Sequence, residues 1–185
     1  ELVKANQTDK HQTLVFLYVD DPVAKLAALE AAKGKGYDVL EMNGPLDNHY
    51  VNWYESKHKE QRFVRVDSDI VDKLIQKEDS LKMSLSEAQQ EILRPVFEAQ
   101  MPHDEKIHYN IAFEPMAAGE APVVITQNEF MRRMKEMAQT GGGGMSQFYG
   151  QMPDNFTIAV NANHPIVIDI LADVEKSYGD KLKSI

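Results

Sequence analysis

Leu14-Val15-Phe16-Leu17-Tyr18-Val19 is a continuous apolar run that follows a polar opening, ELVKANQTDKHQT. Unbroken β-favouring apolar residues are what a parallel strand covered on both faces requires. Asp21-Pro22 then supplies a cap residue followed by proline at a first helical turn, and VAKLAALEAAK carries a helix until Gly34 and Gly36 stop it. Tyr37 to Met42 predicts a second strand, Leu46 to Lys57 a second helix and Phe63 to Val66 a third strand. This βαβαβ order predicts a small open α/β sheet with right-handed crossovers, flanked by helices.

The rhythm changes near Val66-Asp67-Ser68-Asp69, so a boundary is expected at about residue 67, with an α/β part over 1–66 and an α+β part over 67–185. Ser84 and Glu87 have capping-box spacing for a helix through EAQQEILRPVFEAQ, with Pro95 as a point of kinking and Pro102 as its limit. Lys106 to Phe113 alternates as a half-buried strand. Pro122 to Ile125 predicts another, and Phe156, Ile158 and Val160 form one face of a third, giving a short, mainly antiparallel sheet. After a turn over 161–164, Pro165 opens a helix with apolar positions 166, 167, 170, 171 and 174.

Between these strands lies QNEFMRRMKEMAQTGGGGM, residues 127–145. Thr126 with Glu129 matches a capping box, and the glycines end the helix. At 100° per residue, Phe130, Met131, Met134, Met137 and Ala138 share an arc of about 120°, and Arg132, Arg133, Lys135, Glu136 and Gln139 fill the rest. Pattern alone is equally compatible with burial of this stripe in the domain's own core. Methionine, however, is flexible and polarizable, which suits a surface that adapts to many apolar partners. Met145, Phe148, Tyr149 and Met152 extend the apolar content beyond Gly141–Gly144, which read as a hinge, and residues 127–150 are expected to be the least ordered.

Composition narrows the function. A net charge of −9, with no long Lys/Arg block, argues against nucleic-acid binding. The absence of cysteine excludes disulfides, thiol nucleophiles and cysteine-based zinc sites, and suits a cytoplasmic protein. The opening residues are too polar for a signal peptide, and no run approaches the roughly 20 apolar residues a spanning helix needs. Matches to the glycosylation pattern at Asn6 and Asn155 are then chance. The chain opens on Glu and closes on KLKSI in mid-helix, which reads as an excised piece.

The glycine quartet is no phosphate loop, because it follows a helix and lacks the Lys-Ser/Thr pair. Asp20 and Asp21 fall at the carboxyl end of the first strand, where open α/β sheets bind ligands, and adjacent carboxylates there could hold Mg²⁺ and accept a phosphoryl group. Asp21 before Pro22 also reads as a helix cap, the simpler alternative. The six histidines show no zinc spacing, and no serine-nucleophile motif is present.

Three motifs, "VVITQNEFMRRMKEMAQ" over 123–139, "VNANHPIV" over 160–167 and "KGYDVLEMNGPLDNHYVNW" over 35–53, occur in an order and at separations that resemble the heat-shock protein 90 chaperones of bacterial type. The resemblance covers nearly the whole chain. It implies a dimeric, ATP-driven chaperone of three domains, of which this chain would be the last α/β portion of the middle domain and most of the C-terminal domain. By resemblance the amphipathic helix contacts client proteins through Phe130, Met131, Met134, Met137 and Ala138. A second client patch falls on the helix after the second strand, at Asn48, His49 and Asn52, with Tyr50 and Trp53 supplying aromatic surface nearby. Members of the family carry an acid and a tryptophan where Asn48 and His49 stand, a departure that bears on this patch. The resemblance also implies no catalytic, cofactor or metal site here: ATP and Mg²⁺ would bind upstream of residue 1, and the helices that complete the homodimer would follow Ile185. Partners would be unfolded clients, with neither nucleic acid nor membrane.

Overall fold

The computed structural model describes residues 2–76, 81–140 and 152–183. The chain gathers into two compact units, residues 1–79 with 126–154, and residues 80–125 with 155–185. The expected break near residue 67 falls inside the first unit. Val66, Leu74 and Ile75 are part of that unit's core, so the chain beyond the third strand is held there by apolar burial.

In the first unit, α1 (Leu2–Asn6) precedes β1 (Leu14–Val19), α2 (Leu26–Gly34), β2 (Val39–Glu41), α3 (Asp47–Lys57), β3 (Gln61–Arg65) and α4 (Val71–Leu74). The strands lie in the order β2-β1-β3, both pairings parallel, with Leu17 opposite Val39 and Val64. Because β1 is central, alternate residues serve opposite faces. Val15, Leu17 and Val19 pack with Leu29 and Ala32 of α2 and with Leu74. Phe16 and Tyr18 point the other way, to Val51 and Tyr54 of α3 and to Phe63. Two covered faces account for the unbroken apolar run.

The helix expected from Asp21 begins later, at Leu26, after a turn. Asp21 organises that turn as a cap does: its Oδ1 accepts the N–H groups of Val23 and Ala24 at 3.0 and 2.9 Å. After Gly34 the chain reverses through Gly36 at φ +74°, a conformation that only glycine adopts without penalty.

The second unit contains α5 (Glu87–Glu98), β4 (Ile107–Glu114), β5 (Val123–Gln127), β6 (Asp154–Asn161) and α7 (Pro165–Lys183), β5 and β6 each reaching across the boundary between the units. Its strands order as β4-β6-β5, so that β6, last in sequence, is central. Leu93 of α5, Ile111 and Phe113 of β4, Ile158 and Val160 of β6, and Val167 and Leu171 of α7 form one core. The N-cap of α5 is Ser86, not Ser84. Ser86 and Gln89 exchange the capping-box bonds, while the Ser84 N–H is taken by Asn163 Oδ1 at 2.8 Å. Asn161 and Asn163 of the VNANHP turn pin two loops: Asn161 Nδ2 donates to the Ala117 carbonyl at 2.8 Å, and Asn163 Nδ2 donates to those of Met116 and Lys82 at 3.0 and 3.1 Å.

Leu17 is wholly buried and Val23 exposed. Leu17→Ala is therefore expected to lower the urea-unfolding free energy by about 2–5 kcal/mol, whereas Val23→Ala should change it by less than about 0.5 kcal/mol.

Candidate functional site

The methionine-rich segment forms α6 (Glu129–Thr140) within the first unit. Its cap is Asn128, whose Oδ1 accepts the Met131 N–H at 3.2 Å, and not Thr126, which is buried at the end of β5. Glu129 has no capping role, because its carboxylate is drawn to the end of the parallel sheet. There it accepts from the Tyr18 hydroxyl at 2.7 Å, Arg132 Nη2 at 2.8 Å, Arg133 Nε at 2.6 Å and the Arg65 N–H at 3.3 Å.

The charged side of α6 thus faces the α/β core. Arg132 is 5% exposed and Arg133 6%, values unusual for arginine unless its charge is paired. Arg132 also bonds Tyr18 and lies with its guanidinium 5.8 Å from that ring's centre, while its Nη1 donates to Glu136 at 2.6 Å. Arg133 donates to the Phe63 carbonyl and to Glu55 of α3 at 2.9 Å. Arg65, 4% exposed, joins the group through Asp20 at 2.7 Å, Asp67 at 2.9 Å and Gln127 at 3.2 Å.

These contacts set the protonation states. Burial alone would raise the Glu129 carboxyl, but Arg132, Arg133 and the Tyr18 hydroxyl outweigh it and hold its pKa below the ordinary value. Burial, reinforced by Glu129, pushes the Tyr18 hydroxyl well up, so it remains a neutral donor. Asp20 is likewise opposed by burial yet held low by Lys25 and Arg65. It is ion-paired to Lys25 at 2.7 Å, and Asp21 Oδ1 is taken by the N–H groups of its own turn. Among the described residues no group of three or more His, Asp or Glu side chains is arranged to hold a metal. A cleft of about 250 Å³ does open beside the network, lined in part by Tyr18, Asp20, Met42, Asn48, Arg132 and Glu136.

The two sets of residues assigned to clients meet in this unit. Asn48 bonds Glu136, Asn52 Nδ2 reaches Met137 Sδ, and Glu55 holds Arg133, so α3 and α6 lie side by side. Trp53 is 58% exposed with its ring 6.0 Å from that of Tyr50, His49 is exposed, and Phe130 is 63% exposed. Met131, Met134 and Met137 are half-buried and Ala138 is buried. The glycine quartet, with Met145, Phe148 and Tyr149, lies outside the described residues. The buried roles of Tyr18, Glu129, Arg132 and Arg133 were not read from the sequence. Their only trace was an adjacent arginine pair opposite the apolar stripe of a helix.

The Hsp90 protein family model matches residues 6–184. This chain belongs to the Hsp90 family. It is 46% identical over 175 residues to the chaperone protein HtpG of Bacteroides fragilis (strain 638R), covering 95% of this chain and 25% of that relative. It is 42% identical over 174 residues to HtpG of Bacteroides thetaiotaomicron, covering 94% and 25%. To HtpG of Porphyromonas gingivalis (strain ATCC 33277) it is 40% identical over 184 residues, covering 100% and 27%. The Hsp90 chain therefore spans about a quarter of the length of these relatives. No helix among its described residues is long and apolar enough to cross a membrane.

Because the Glu129 carboxyl is held below its ordinary 4.5, its ion pairs contribute stability above that pH and lose it as pH falls through the depressed value. Glu129→Gln should lower the urea midpoint at about pH 7. It should also remove part of the fall in stability expected of the parent chain as pH drops below the ordinary carboxyl value of 4.5.

Proposed function

We propose that this chain is a client-contacting part of an Hsp90-type molecular chaperone, one that assists unfolded proteins by adsorbing their apolar segments and does no chemistry in this portion. The observation that supports it best is the orientation of α6. Its charged side is consumed by the α/β core, leaving Phe130 exposed and Met134 and Met137 on the remaining arc. Trp53 of the adjoining α3 adds a second exposed aromatic anchor and His49 an exposed polar group, while Asn48 and Asn52 tie α3 to α6. Apolar anchors with interleaved hydrogen-bonding groups suit a partner whose exposed backbone and side chains vary from case to case.

In this reading ATP and Mg²⁺ bind elsewhere in the whole protein, which acts as a cytoplasmic homodimer. Clients are the partners of the surface, and nucleic acid and membrane are not, in keeping with a net charge of −9.

Phe130→Asp combined with Met134→Asp, made in the full-length chaperone, is expected to weaken binding of a reduced and carboxymethylated unfolded protein by at least about tenfold, on the order of 1.4 kcal/mol or more. Fluorescence anisotropy measures the affinity, and circular dichroism confirms that the melting transition survives. An affinity equal to the parent's counts against the reading.

A further inference from the structure

The bed that receives α6 is largely apolar: Tyr18 and Phe63 are buried beside Val51, and Phe16 and Tyr54 pack against them. An amphipathic helix would ordinarily lay its apolar stripe on such a bed. Here the opposite side of the helix occupies it. The bed explains why, since it carries buried or half-buried polar groups that an apolar stripe could not serve. These are the Tyr18 hydroxyl, the Phe63 carbonyl, the Arg65 N–H and the Glu55 carboxylate. Each is met by Glu129, Arg132 or Arg133. Turning the helix half a revolution would strand the first three and leave Glu55 with the Phe63 N–H alone, and a buried polar group without a partner costs more than a paired one contributes.

Consecutive residues of a helix diverge by about 100°, so Arg132 and Arg133 reach different parts of the bed. Arg132 goes to Tyr18, Arg133 to the Phe63 carbonyl and Glu55. One anchor would leave a helix free to roll, whereas two on separate bearings fix its rotation. We propose that Arg132 and Arg133, tied together by Glu129, are positioning residues that set the roll of α6 and prevent the α/β core from swallowing the Phe130–Met134 face. This rests on the client-binding reading of α6 and assigns the control of that same surface.

Buried ion pairs replaced by apolar side chains of similar volume often leave a protein as stable as before, or more so. A purely structural role therefore predicts lost stability, and a positioning role predicts lost presentation with stability retained. The test uses the full-length chaperone labelled with ¹³C at the methionine methyls, with the triple variant Glu129→Leu, Arg132→Leu, Arg133→Leu. The expected result is protection of the Met134 methyl from a soluble gadolinium chelate, a melting temperature equal to or above the parent's, and at least tenfold weaker binding of the reduced, carboxymethylated protein. A folded triple variant whose Met134 methyl is broadened as strongly as the parent's overturns the proposal. Should the triple variant not fold, Arg133→Lys keeps the charge but cannot span Glu55, Glu129 and the Phe63 carbonyl together. It is expected to give intermediate protection, and parent-like broadening there overturns the proposal equally. Failure of the client-binding reading looks different: Phe130→Asp with Met134→Asp leaves affinity intact while the leucine variant still shields Met134.

Discussion

Three guanidinium groups, those of Arg65, Arg132 and Arg133, sit where water barely reaches, at the carboxyl end of a parallel sheet. A bare charge in that setting would be prohibitively costly. Each is instead surrounded by acceptors: Asp20 and Asp67 for the first, Glu129 and Glu136 for the second, Glu129, Glu55 and a backbone carbonyl for the third. Strand, helix and loop termini from residue 18 to residue 136 converge to satisfy them. Such a cluster adds little net stability, yet it permits very few arrangements of the surrounding elements.

The apolar framework beneath it has a different character. Alternation along β1 sends Val15, Leu17 and Val19 to one face and Phe16 and Tyr18 to the other, and the helices cover both. Hydrophobic burial of this kind supplies the driving force but is indifferent to the exact roll of a surface helix. The division of labour is that the core holds the unit together and the charges fix how α6 lies on it.

This division also explains what the sequence disclosed. Leu14 to Val19, the capping role of Asp21 and the glycine stop of α2 were readable because their causes are local: side-chain period, a carboxylate over free N–H groups, a backbone angle suited to glycine; the start of α2, four residues beyond Pro22, was not. The caps were misplaced by two residues, Ser84 for Ser86 and Thr126 for Asn128, because several residues nearby could serve and only packing selects among them. The arc of Phe130, Met134 and Met137 was visible, but not which side of α6 meets the α/β core. That depends on Tyr18 and Glu55, more than 70 residues away in the chain, and no periodicity encodes a partner at that distance. For the same reason Asn161 and Asn163 read as mere turn residues, although their side chains hold two loops.

Glu129 gathers donors from β1, β3 and its own helix, namely Tyr18, the Arg65 N–H, Arg132 and Arg133. Three of these donors, from Tyr18, Arg132 and Arg133, converge on Oε1, and the Arg65 N–H reaches Oε2. No one of those bonds can be exchanged for water without loosening the others through the shared oxygen atoms. Adding a proton or a water at that carboxylate would weaken bonds to two strands and to the helix together, so hydration, protonation and the seating of α6 are coupled through one side chain.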